Sequence, residues 1–478
     1  MDPVYFQSAA EMARRIRMRE TTSLEVVALH IERIKKYNRH INAVVTLCED
    51  EAIAAAQAAD EKLKSGGQLG KLHGVPLLIK DSYRVRGIRS TFGGLPQFYN
   101  HIPKSDCEQV RRLRDAGAII LGRTNLPLLA FDWQSRNPLF KEAKNPFDFS
   151  RTPGGSSGGA AAAVAAGFAP LDLGSDLGGS TRYPSHCCGV YGLRTTDGLL
   201  PIHDLGPENE KQAFERLVTC GPIARNLADV RLMLEVLCSK HPSLHEVNSH
   251  NKKKLQIAVS KGLLGIRADQ ETEKVMDHLV HNLHTDGHEI NETETPKTDF
   301  ADAYRVHGTI AGHEFARVLP WILRTKIGNF LFTGYLLRIK LGNGPFTKWI
   351  AKGIGSSRSE YQSALKELEE IRKRTDGFFE KFDLWILPIS PSVAIKRQRF
   401  GFPIQFRGRK ISYSEFLGSY LVPTATLGTP ALALPIKRDT GLPIALQIHG
   451  KRFSDFELLD IIEHHLDKYA QASSKNFS

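Results

Sequence analysis

Between Thr152 and Tyr191 the chain carries two glycine- and serine-rich clusters joined by an alanine-rich stretch, the feature that most narrows what it can fold into. Residues 152–160 read Thr-Pro-Gly-Gly-Ser-Ser-Gly-Gly-Ala, and residues 174–184 read Gly-Ser-Asp-Leu-Gly-Gly-Ser-Thr-Arg-Tyr-Pro. Glycines on both sides of Ser156 and Ser157 let backbone amides turn inward and approach another group closely. The pair Gly178-Gly179 before Ser180 leaves consecutive N–H groups free to point at one spot beside its hydroxyl, the geometry of an oxyanion hole. Either cluster alone is also what an ordinary turn looks like, so its surroundings must decide.

Those surroundings alternate between helix and strand. Thr22 and Glu25 have capping-box spacing, and Leu24, Val27, Ala28, Ile31 and Ile34 then recur on one helical face. An alanine-rich helix from about Asp50 to Lys64 is stopped by Gly66-Gly67. The run from His73 to Asp81 is apolar until its last two residues, Lys80 and Asp81, which suits a buried strand delivering a side chain at its end. A helix over 108–116 leads through Gly117 into a strand at 118–121, and short buried strands are predicted at 255–260, 384–387, 431–435 and 444–448. This alternation predicts one α/β domain with a mixed sheet.

Composition sets the outer limits. The 478 residues could hold roughly three average domains or one large α/β domain. A net charge of +12 favours some attraction to anionic surfaces, but the basic residues are spread along the chain, so nucleic acid is not an expected partner. Cys48, Cys107, Cys187, Cys188, Cys220 and Cys238 have neither metal-ligand spacing nor disulfide-scaffold density, which points to a reducing compartment. The first residues lack a basic start followed by an apolar core, and no uncharged apolar run could span a bilayer, so a cytoplasmic location is expected.

Residues 315–359 stand apart. They contain no Asp or Glu, yet place Arg317, Arg324, Lys326, Arg338, Lys340, Lys348, Lys352 and Arg358 among Trp321, Phe330, Phe332, Tyr335, Phe346 and Trp349. Three readings stay open: an interfacial helix pair touching an anionic membrane, a cap over an apolar pocket, or an insertion whose cations snorkel from the core.

The two glycine–serine clusters, their spacing and the upstream Lys80 together resemble the amidase signature family of hydrolases. The likeness extends to residues 41–45, His73-Gly-Val-Pro, Gly221-Pro-Ile-Ala-Arg225 and residues 441–447. Asp132-Trp-Gln-Ser135 and Leu177 look most like bacterial acyl-amide amidases related to fatty acid amide hydrolase. The resemblance implies a single domain with a central twisted mixed β-sheet flanked by helices on both faces. In it, 1–70 would form N-terminal helices, 71–240 the signature core, 315–359 the basic aromatic insertion, and 380–470 the C-terminal part of the sheet. It implies Ser180 as nucleophile, Ser156 as a bridging serine held in a cis peptide, and Lys80 as base. Backbone N–H groups of Leu177, Gly178, Gly179 and Ser180 would form the oxyanion hole. No metal or cofactor is implied, the partner is a small-molecule amide, and a homodimer is compatible with the pattern.

Around this centre, Asp176 and Arg182 are expected to pair and brace the loop. Ser157 is either a turn residue or a hydrogen-bond partner of Lys80. His186, Cys187 and Cys188 are too close in sequence to form a dyad and are expected to pack. The chain departs from the family pattern at Leu128, at Arg194-Thr195 and at residues 424–427, which bears on substrate and not on the hydrolytic chemistry. The expected reaction is hydrolysis of an amide with an apolar acyl or aryl part. Alternatives are a glutamine-hydrolysing A subunit of an amidotransferase, disfavoured because Tyr183 stands where those subunits typically carry glutamine, and a catalytically silent member of the fold.

Overall fold

The computed structural model describes residues 4–94, 96–202, 216–239, 253–319, 321–325, 328–329 and 333–472. Its centre is a sheet whose strands, in chain order, are β1 (Val44–Leu47), β2 (Pro76–Lys80), β3 (Ile119–Thr124), β4 (Leu171–Asp176), β5 (Tyr191–Arg194), β6 (Thr219–Ala224), β7 (Gln256–Val259), β8 (Glu289–Asn291), β9 (Leu384–Pro388), β10 (Ala431–Pro435) and β11 (Ala445–His449). The eleven strands lie in the spatial order β1-β3-β2-β4-β6-β5-β10-β11-β9-β7-β8. Pairing is parallel where β2 lies between β3 and β4, and where β7 lies between β8 and β9. It is antiparallel through the middle, from β4 to β9, and at the β1 edge. The expected mixed sheet within a single α/β domain is what forms.

Strand periodicity sorts the core into two layers. Leu77 and Ile79 of β2, Leu171 and Leu173 of β4, and Leu384 and Ile386 of β9 join one apolar cluster. Leu78, Trp385 and Leu387 join the other, on the opposite face. A strand with both faces covered is mostly apolar, and β2, β3, β4, β6 and β9 are buried at every position, so the polar residues they do carry, Lys80, Arg123, Asp172 and Asp176 among them, are buried with them.

Helices supply both coverings. The predicted capping box forms at the start of α1 (Ser23–Ile41), with the Thr22 and Glu25 side chains each bonded to the other's backbone, an arrangement worth about 1 kcal/mol. The alanine-rich α2 (Glu49–Lys64) ends just before Gly66, whose φ is 73°. The alanine-rich stretch between the two glycine–serine clusters is α3 (Gly158–Ala165), every residue of which is buried. A helix apolar all round belongs inside a core, and this one lies over the face that carries Leu78.

Residues 315–359 are a succession of short helices rather than one amphipathic pair. They include Trp321–Arg324, Gly334–Leu341 and Pro345–Ile354, and run into the start of Arg358–Phe379. Lys326, Phe330 and Phe332 lie outside the described residues. The helix Pro345–Ile354 packs against the buried helix Phe300–Phe315. Gly308 and Gly312 allow that approach: a Cβ on Gly308 would stand 2.3 Å from Trp349 Cβ, and one on Gly312 2.4 Å from the Ile350 carbonyl oxygen.

Candidate active site

Lys80 is the last residue of β2 and is fully buried. The period of two puts its side chain on the same face as Leu78, under the N-terminus of α3. Three hydroxyls converge on its amine: Nζ lies 2.6 Å from Ser156 Oγ, 2.9 Å from Ser157 Oγ and 3.0 Å from Ser175 Oγ. Three acceptors match the three protons of an ammonium, and equally serve a neutral amine that takes one hydroxyl proton on its lone pair. Burial pushes the Lys80 amine down to about 7, with Asp176 and Asp172 pulling the other way.

The two glycine–serine clusters meet at this point. The Ser157 N–H donates to the Ser180 carbonyl at 3.0 Å, and the Gly155–Ser156 peptide bond is cis. Gly174 admits Ser157, since a Cβ there would lie 2.9 Å from Ser157 Oγ. Gly179 has φ 99°, which side chains other than glycine's adopt with strain, and a Cβ on it would run into Leu421 at 2.5 Å.

Asp176 fixes the loop around Ser180. Its carboxylate accepts from Arg182 Nε and Nη2, each at 3.1 Å, from Arg194 Nη1 at 3.3 Å, and from the Gly179 and Thr181 N–H groups. Burial alone would raise it, but Arg182 and Arg194 outweigh burial and hold it well below the usual carboxylate range. Arg194 Nη1 also donates to the Asp176 carbonyl at 2.6 Å. On the other side of the loop, Trp133 Nε1 donates to the Gly178 carbonyl at 3.0 Å.

A cavity of about 20 Å³ opens beside Ser180, space for roughly one water. Phe131, Trp133, Leu177, Leu341 and Phe346 wall it with apolar surface, and Asp132 is its charged neighbour. Phe346 packs on Phe131 and Trp133 with ring centroids 5.7 and 5.0 Å apart. Leu341 and Phe346, which line this cavity, both belong to the basic aromatic segment 315–359.

A profile of the family described as Amidase matches residues 25–459. The chain belongs to the amidase family. It is 32% identical over 484 residues to the A subunit of the glutamyl-tRNA(Gln) amidotransferase of Thermoanaerobacter pseudethanolicus, covering 96% of this chain and 95% of that one. It is 37% identical over 301 residues to the indoleacetamide hydrolase of Bradyrhizobium diazoefficiens, covering 62% of this chain and 57% of the other. A solved bacterial aryl acylamidase of the amidase signature enzymes shares the fold, with a TM-score of 0.81 at 23% identity over 98% of this chain and 97% of that chain. This amidase is an amide-hydrolysing enzyme.

Sequence reasoning singled out Lys80, Ser156, Ser157, Asp176, Ser180 and Arg182, and the amidase fold brings them to one place. Ser157 takes the second of its two readings, as a hydrogen-bond partner of Lys80. The Gly179 amide, expected to face an oxyanion, donates to Asp176 Oδ1 at 2.8 Å. His186 and its neighbouring cysteines pack: the imidazole is bonded to the backbone of Ala445 and Ser392, and burial pushes the Cys187 and Cys188 thiols up. Ser175 and Arg194 were missed. Ser175 sits inside the second cluster next to Gly174, so its position was a usable signal. Arg194 reaches the loop from β5, a strand with no pattern of its own in the sequence.

Proposed function

We propose that this amidase forms an acyl-enzyme on Ser180 through a Ser–Ser–Lys relay. The observation that carries the reading is the buried Lys80 amine, brought down to about 7 and held 2.6 Å from Ser156 Oγ. Neutral Lys80 takes the Ser156 proton while Ser156 takes that of Ser180, whose oxygen attacks the amide carbon. The relay then runs backwards and protonates the leaving nitrogen, so the C–N bond breaks and an ester to Ser180 remains. Water, deprotonated through Ser156 to Lys80, then attacks the ester carbon; the bond to Ser180 breaks, the acid leaves, and Ser180 regains its proton along the same relay. Backbone amides of Leu177, Gly178 and Ser180 serve the developing oxyanion, each well-aimed donor contributing roughly 10²–10³ in rate. Gly179, with Asp176, holds the loop in shape. Turnover of an amide panel by wild type and Ser180→Ala tests the reading, and undiminished turnover in Ser180→Ala overturns it.

The apolar walls beside Ser180 support a substrate class. They favour an amide with an apolar acyl or aryl part, a class to which the name of the indoleacetamide hydrolase relative also points. A second reading is favoured by one observation, the likeness to amidotransferase A subunits along nearly the whole chain. Under it the enzyme would release ammonia from glutamine for a partner protein. Kinetics with glutamine against aryl and long-chain acyl amides separate the two, and strong glutaminase activity together with a co-purifying partner would favour the second.

The insertion has an exposed side as well. Tyr335, Leu336 and Ile339 face solvent on the helix that carries Arg338 and Lys340. Among the described residues no helix is long and apolar enough to cross a membrane, so any contact would be at the surface. We infer peripheral binding to anionic lipid, seen as liposome co-sedimentation that weakens with added salt. Equal recovery with neutral and anionic liposomes would leave the insertion as a pocket cap alone.

A further inference from the structure

We propose that Asp172 is the proton partner of Lys80: the two share one proton, and Asp172 thereby sets the pH at which Lys80 becomes a base. The proposal rests on the reading of Lys80 as base and adds a residue that acts through it.

The geometry comes from the parallel ladder. Leu78 pairs with Asp172 and Ile79 with Leu173, so the same register sets Lys80 level with Gly174. Asp172 and Asp176 lie one strand repeat before and after that glycine, and side chains two apart share a face. Lys80 therefore emerges between two buried carboxyls whose surroundings differ. Asp176 is clamped by two arginines and by backbone amides and stays ionised. Asp172 is equally inaccessible to solvent, yet among the described residues no arginine or backbone amide donates to its carboxyl, and the Thr124 hydroxyl is the neighbour placed to do so. A buried carboxylate so poorly supplied with donors is costlier than a neutral carboxyl, which favours its protonated form.

Among the described residues, few titratable or charged groups act on Asp172. From β2 it meets Lys80, from β3 the Thr124 hydroxyl and the charge of Arg123, and the Tyr83 phenol interacts with it. On β6 its paired residue is Ile223. The helix α3 over this face offers only Gly, Ala and Val. Burial pushes Asp172 up against the pull of Thr124, Lys80 and Arg123, and pushes Lys80 down, so the two move toward each other. Two groups of similar acidity on one buried face titrate as a pair. With Asp172 ionised, Lys80 is held as an ammonium and cannot accept a proton. With Asp172 protonated, that hold is gone. Asp172 is a positioning residue, since it touches neither substrate nor nucleophile.

The test is the pH dependence of inactivation by a fluorophosphonate, which reads how readily a serine is activated without needing the natural substrate. Asp172→Asn keeps the shape and removes the charge permanently, so the acidic limb of the inactivation rate should move to lower pH by about one unit or more. An unmoved limb, or a loss of rate that is the same at every pH, overturns the proposal. Lys80→Met is run beside it: a limb that survives unchanged there means Lys80 is not the base, a failure of the underlying reading rather than of the pair. Thermal melting reports whether Asp172→Asn folds. Should it not fold, infrared titration of aspartate-labelled protein replaces it: a buried protonated carboxyl should persist to higher pH in Lys80→Met than in wild type, and coincident titrations overturn the proposal.

Discussion

At the residue scale, Lys80 shows how far a single side chain could be read. Its place at the end of an apolar run was enough to predict burial, and burial is what lowers the amine to about 7. As that amine loses its proton, activity should rise with pH through about 7, and kcat/KM measured across the range checks the sign. Replacing Lys80 by Ala removes the proposed base, and amide turnover should fall by roughly 10²–10⁴ while ester turnover falls less. Equal losses for both would mean that Lys80 does not return a proton to the leaving nitrogen. Asp172 and Arg194 were not legible as partners because their roles depend on strand register, which sequence does not state. Asp176 illustrates the same dependence: its pairing with Arg182 was expected, but Arg194 arrives from β5 across β6. Asp176→Asn should cost about 3–5 kcal/mol, because it leaves two buried guanidinium groups without their anion, and the fall in melting temperature measures it.

At the scale of elements, strands built from Val, Ile and Leu were legible and the central ones were not. β4 reads Leu-Asp-Leu-Gly-Ser-Asp and β6 reads Thr-Cys-Gly-Pro-Ile-Ala, full of residues that strands ordinarily avoid. They form because neighbours on both sides complete their hydrogen bonds and because Gly174 must admit Ser157. The helix α3 was equally hidden, since four consecutive alanines carry no periodicity. The insertion at 315–359 was noticed for its charge, while its contribution to the cavity through Leu341 and Phe346 depends on how the helices Phe300–Phe315 and Pro345–Ile354 pack. Gly308→Val should force them apart, lowering stability by about 1–3 kcal/mol or more in thermal melts and reducing activity together with it. Phe346→Ala removes a buried ring at a cost of about 3–5 kcal/mol and enlarges the cavity, so relative kcat/KM should shift toward bulkier acyl amides. An unchanged order of preference would place the acyl group elsewhere.

At the scale of the whole molecule, fold class followed from helix–strand alternation, but the strand order did not, because the sheet is parallel in two places and antiparallel between them. The chemistry was legible for a different reason. Two glycine–serine clusters far apart in sequence are useful together only if the fold joins them, and β2, β4 and α3 bring both to Lys80. The proposed acylation of Ser180 is where the account stands or falls, and the most direct measurement is fluorophosphonate labelling of the folded chain followed by peptide mapping. One adduct on Ser180 is predicted in wild type, formed much more slowly in Lys80→Ala and absent from Ser180→Ala. An adduct on Ser156 or another serine in wild type, or labelling of Ser180→Ala at the wild-type rate, would contradict it.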